Sequence, residues 1–129
     1  MSGTHEIIVT GDQQLQVYAD KERIDQVLAN LVNNAVKYAP ESTKIVVHIE
    51  VIPGFAKISV SDKGNGIPED KLPHLFKRYY RVQDKSNFSG LGLGLYISNE
   101  IIKRHHGEMG VESQIGQGST FWFTLPLEQ

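Results

Sequence analysis

Cysteine is absent from the 129 residues, so neither a disulfide nor a thiolate metal site can staple this fold. That composition suits a reducing compartment. No apolar run approaches the ~20 residues needed to span a bilayer. No N-terminal stretch reads as a signal peptide, and Met1-Ser2-Gly3-Thr4 reads as a loop. Lysine and arginine are scattered through a chain of net charge −2, which argues against nucleic-acid binding through a basic face. The Gly-Lys-Ser/Thr of a phosphate loop is missing, and the glycine spacing of a dinucleotide fingerprint does not fit. Internal repeats, low-complexity tracts and linkers are absent too. What remains is a single domain, 40% hydrophobic and 22% charged, able to bury a core.

The periodicity predicts the elements. Glu6 to Thr10 and Leu15 to Tyr18 read as short strands parted by a Gly11-Asp12 turn. Asp20 reads as the N-cap of an amphipathic helix. Its apolar face is Ile24, Val27, Leu28, Leu31, Val32, Ala35 and Val36, and Pro40 stops it. Lys44 to Val51 and Phe55 to Ser61 alternate as a hairpin about Pro53-Gly54. A short helix is expected from Pro68 to about Tyr80, then a polar loop over 82–89. A further helix follows Gly90-Leu91-Gly92-Leu93-Gly94, with Leu95, Ile97, Ile101 and Ile102 on its apolar side, ending near His106-Gly107. Met109 to Ser113 and Thr120 to Leu125 close the chain as strands. This order predicts an α+β sandwich, a mixed and mainly antiparallel sheet with helices on one face.

Four clusters hold residues suited to chemistry. Asn30 and Asn34 are one helical turn apart, with Lys37 and Tyr38 at the next turn. Amide oxygens suit a hard cation, but the same residues also fit a solvated helix face. Asp62-Lys63-Gly64-Asn65-Gly66-Ile67-Pro68 follows a strand, where a carboxylate can accept from an exocyclic amine. A capped glycine turn would look the same. Gly90-Leu91-Gly92-Leu93-Gly94-Leu95 opens a helix, whose free N–H groups favour phosphate. Gly116-Gln117-Gly118-Ser119-Thr120-Phe121 is, alone, a hairpin turn.

In order and spacing, these four resemble the N, G1, G2 and G3 boxes of sensor histidine kinases. Leu75-Phe76-Lys77-Arg78-Tyr79-Tyr80-Arg81 resembles their F box. The resemblance runs from about Asp20 to Pro126 and implies the Bergerat ATP-binding fold. It implies ATP as substrate and Mg²⁺ as cofactor, the metal on Asn34 with Asn30 assisting. Lys37 would contact phosphate, Tyr38 would pack on adenine, and Asp62 would accept from its amine. Gly64 and Gly66 would shape that pocket. Residues 69–89 would form an ATP lid from which Arg81 reaches the γ-phosphate, and Gly90, Gly92 and Gly94 would cradle phosphates. Asn34, Lys37 and Arg81 would be the catalytic residues. Ile67, Tyr80, Leu91, Leu95, Ser119 and Thr120 complete the implied nucleotide contacts. Two departures from the pattern are Leu91, often Thr or Ser in the family, and Tyr79, commonly Phe.

The resemblance also implies partners: a dimerisation and phosphoacceptor domain, and a response regulator downstream. The parent kinase would be homodimeric, with this domain in the cytoplasm and off the membrane, whether or not the parent is anchored there. The alternative is an ATP hydrolase or anti-sigma serine kinase of the same fold. Hydrolases of this fold place a glutamate base where this chain has Asn30, and a neutral amide cannot act as a base. The chain contains no Thr-Pro, the dipeptide expected just after a phosphoacceptor histidine. Its five histidines are therefore read as structural.

Overall fold

Strand alternation and helical periodicity resolve, in a computed structural model, into the order β-α-β-β-α-β-β. Residues 6–12, 15–17, 19–38, 44–77 and 94–127 are described, the side chains of Lys37 and Tyr38 excepted. The elements are β1 (Glu6–Gly11), α1 (Lys21–Tyr38), β2 (Lys44–Ile52), β3 (Phe55–Asp62), α2 (Gly94–Arg104), β4 (Met109–Gln114) and β5 (Gly118–Pro126). A 3₁₀ turn, Glu69–His74, lies between β3 and α2.

The five strands form one sheet in the order β1-β2-β3-β5-β4. β1 runs parallel to β2, and the other neighbours pair antiparallel. A parallel pair requires a crossover, which α1 supplies, whereas β2–β3 and β4–β5 close through tight turns. Asp20 caps α1 as expected: its Oδ1 accepts from the Arg23 N–H at 3.3 Å and its carbonyl from Ile24 at 3.0 Å.

One face of the sheet carries the core. Ala56, Ile58 and Val60 of β3 stand opposite Leu125, Phe123 and Phe121 of β5. Val27, Leu31 and Ala35 of α1, and Ile101 and Ile102 of α2, pack into the same cluster. Each large side chain removed from water there contributes about 1.5–3 kcal/mol. The opposite face is polar. Thr10 Oγ1 bonds His48 Nδ1 at 2.7 Å and Ser61 Oγ bonds Thr120 Oγ1 at 2.8 Å. Trp122 lies on that face over Gly110, with Lys57 Nζ 4.8 Å from the ring centroid.

Three expectations need correction. Leu15–Val17 is not a strand: β1 continues through Gly11, the Asp12 N–H bonds the Ile49 carbonyl, and Val17 packs on the core. The helix expected from Pro68 is a short 3₁₀ turn containing Pro73, which lacks the N–H a continuing helix needs. On α2, Leu95, Ile101 and Ile102 face the core as expected, but Ile97 is 36% exposed and Ser98 is wholly buried in its stead. Pro40 lies outside the described residues.

Candidate nucleotide site

β3 alternates inward through Ala56, Ile58 and Val60, so the next inward position is Asp62, only 5% exposed. Its partner across the sheet is Ser119, 3% exposed. The chain turns back immediately, and the Gly64 N–H donates to Asp62 Oδ1 at 2.8 Å. Oδ2 is buried without a partner. Burial raises the Asp62 carboxyl above its usual range, against the N–H groups of Gly64 and Ser119, which favour the ionised form. A buried, unpartnered acceptor at the end of a strand is a place for a donor from outside the chain.

The wall around it is tightly joined. The Ile67 N–H donates to Ser113 Oγ at 2.8 Å, and Ser113 Oγ donates to the Gly118 carbonyl at 3.0 Å. Ser119 Oγ lies 2.8 Å from Ser113 Oγ, and as donor it completes the two acceptor sites of that hydroxyl. The Gly116 N–H bonds the Asn65 carbonyl at 2.8 Å. Gly66 (φ 81°) and Gly118 (φ 106°) permit this contact: a Cβ on the first would strike the Gln114 carbonyl oxygen, and on the second that of Asp62. Gly66 thus seats one turn on the other. Ile67 is 1% exposed, its side chain in the core beneath. Thr120 requires correction as a nucleotide contact: strand alternation turns it to the polar face, where Ser61 holds its hydroxyl.

Asn30 and Asn34 lie on α1 as spaced, but their environments differ. Asn34 Nδ2 is buried without a partner. Asn30 Nδ2 donates to Ser98 Oγ at 3.0 Å, with a longer contact of 3.5 Å to the Gly94 carbonyl. Gly94 opens α2, and Leu95 packs against the core. At the other end of the helix pair, His105 Nε2 accepts from the Asp20 N–H at 3.1 Å. The ring proton is then on Nδ1, which donates to the Ile101 carbonyl at 2.8 Å. His105 therefore links the start of α1 to the last turn of α2.

Lys37 and Tyr38 sit in the last turn of α1. Tyr80, Arg81, Gly90, Leu91, Gly92 and lid residues 78–89 lie outside the described residues. Leu75, 3% exposed, and Phe76 tie the start of that segment to the core. Sequence reading missed Ser113 and Ser98. No local pattern marks either, because their partners are 46 and 68 residues away in the chain.

A mixed five-stranded sheet with two joined helices on one face defines an α+β domain, and orphaned polar groups on both β3 and α1 mark a candidate ligand site on its helical side. The chain belongs to the histidine kinase-, DNA gyrase B- and HSP90-like ATPase family, whose model matches residues 19–129. The adaptive-response sensory kinase SasA of Gloeothece citriformis is 44% identical over 112 residues, 86% of this chain and 28% of that protein. The chain thus spans less than a third of that relative. The catalytic domain of histidine kinase ThkA superposes with a TM-score of 0.82 at 30% identity, covering 97% of this chain and 80% of that one. Full-length ShkA in complex with AMPPNP gives 0.81 at 32% identity, covering 94% and 25%.

Proposed function

We propose that this chain is the ATP-binding catalytic domain of a sensor histidine kinase. It binds Mg²⁺-ATP and transfers the γ-phosphoryl group to a histidine on a separate dimerisation and phosphoacceptor domain. The observation that carries this reading is the unpartnered Asp62 Oδ2 at the mouth of a satisfied polar wall. The exocyclic amine of adenine supplies the missing donor, while guanine would set a carbonyl oxygen against the carboxylate.

At the other end, the buried, unpartnered amide of Asn34 suits an ion that keeps several waters and takes few protein ligands. Turning the amide over presents its oxygen at the same point. Mg²⁺ bound there would neutralise phosphate oxygens as charge moves between them. Lys37, and Arg81 from the lid, add positive charge near the transferred group, Tyr38 and Tyr80 flank the nucleotide, and Gly90, Leu91, Gly92 and Gly94 border its phosphates. Phosphoryl transfer asks mainly for positioning and charge neutralisation, which these side chains provide. Asn30 cannot activate water, so hydrolysis by the domain alone is slow. The parent acts as a cytoplasmic-facing homodimer that passes phosphate on to a response regulator. No helix among the described residues is long and apolar enough to cross a membrane.

Two measurements test this. GTP should compete with a fluorescent ATP analogue about tenfold to a hundredfold less well than ATP; equal competition removes the adenine role of Asp62. Radiolabelled ATP should leave the domain unlabelled and give acid-labile label on a phosphoacceptor domain supplied in trans. Rapid steady ATP hydrolysis by the domain alone would instead mark a hydrolase.

A further inference from the structure

We infer that Asn30 is a positioning residue: through Ser98 it fixes the start of α2, at Gly94, against α1, and so sets where that helix N-terminus stands relative to Asn34. This rests on the nucleotide reading above and gives the Asn30 amide nitrogen a role distinct from the metal contact suggested by the spacing of the two asparagines.

The two amides face different things. Asn34 has a buried pole with no partner inside the protein, as a group does that waits for a ligand. Asn30 has its nitrogen on Ser98 Oγ at 3.0 Å and directed to the Gly94 carbonyl at 3.5 Å. Ser98 is 0% exposed, so water cannot reach that hydroxyl, and Asn30 is a polar partner supplied from another helix. A serine inside a helix ordinarily turns its hydroxyl on its own backbone; here it receives a donor across the helix pair. Gly94 is the first residue of α2 and the last glycine of the phosphate-type run, so the bond acts where that run meets the helix. The second polar tie, Asp20 to His105, lies at the far end of the pair. Loss of the Asn30–Ser98 bond removes a directional tie near the start of α2 and leaves that end to apolar packing such as that of Leu95.

The test is a double-mutant cycle on the whole 129-residue chain, read as affinity for a fluorescent ATP analogue with Mg²⁺ and with EDTA, beside Tm. Asn30→Ala and Ser98→Ala should each weaken binding about tenfold. The double variant should also lose about tenfold, because one shared bond can be removed only once. The ratio of affinities with and without Mg²⁺ should stay at the wild-type value in both single variants. Ser98→Thr, which keeps the hydroxyl, should retain affinity whatever it does to Tm. Multiplying losses in the double variant would overturn the inference. So would a magnesium dependence abolished by Asn30→Ala but not by Ser98→Ala, which would make Asn30 a ligand. A fall in Tm with unchanged affinity would reduce the bond to a packing role. Failure of the wild-type chain to bind the analogue is a distinct result, removing the nucleotide reading and this inference with it.

Discussion

At the Asp62 end of the site, Ser113 and Asn65 bond the turn after β3 to the β4–β5 turn, and two left-handed glycines let the backbones touch. At the Asn34 end, α1 and α2 share the apolar core and, among the described residues, are also tied by the Asn30 amide and, further off, by His105. The first end is a preformed socket whose polar groups are satisfied, apart from one carboxylate oxygen. The second, among the described residues, has fewer polar ties. On the proposed reading, preorganisation at the Asp62 end would lower the ordering cost of binding the base, while latitude at the Asn34 end would let geometry change during transfer.

Removing the socket's only open acceptor should have the largest effect. Asp62→Ala should weaken binding of the ATP analogue by about tenfold to a hundredfold. If calorimetric titration finds it unchanged, the base does not sit there. Next, Ser113→Ala strands the Ile67 N–H and the Gly118 carbonyl and should cost about 1–3 kcal/mol of stability. A chemical melt that shifts no more for Ser113→Ala than for Ser98→Ala would mean that the two ends are equally firm.

The smallest effect concerns pH. The Asp62 carboxyl is raised, so the folded chain holds that proton more tightly than the unfolded chain does. Its stabilising contribution is complete below the ordinary value of 3.8 and is lost as pH rises through the raised value. Asp62→Asn should therefore raise Tm at pH 7. That gain should fade as pH falls toward the ordinary aspartate range. A variant that melts lower than wild type at pH 7 would show that the ionised carboxylate is not a strain on the apo fold.

Where a residue's role follows from its own neighbours in sequence, it could be read directly. The strands around Pro53-Gly54, the Asp20 cap and the apolar face of α1 are of that kind, since turn chemistry and period are local. Asp62 was legible because a strand ends there in glycines. Ser113 and Ser98 were not, because sheet register and helix pairing give them their partners. On α2, Leu95, Ile101 and Ile102 were legible as inward positions, but Ile97 was not placed correctly, because the buried place beside them goes to Ser98, whose partner Asn30 lies on another helix. Leu15–Val17 has the composition of a strand, but the Leu15 N–H turns back on the Asp12 carbonyl and Val17 packs on the core as the chain leaves the sheet for α1.

The chain has one tryptophan, and it lies on the polar face over Gly110 beside Lys57, turned away from Asp62 and both asparagines. Its indole therefore serves as an intrinsic optical probe that reports on strand pairing between β4 and β5 rather than on ligand occupancy. Emission recorded through a denaturant series follows the sheet coming apart, and the same signal recorded through a nucleotide titration provides a flat internal reference.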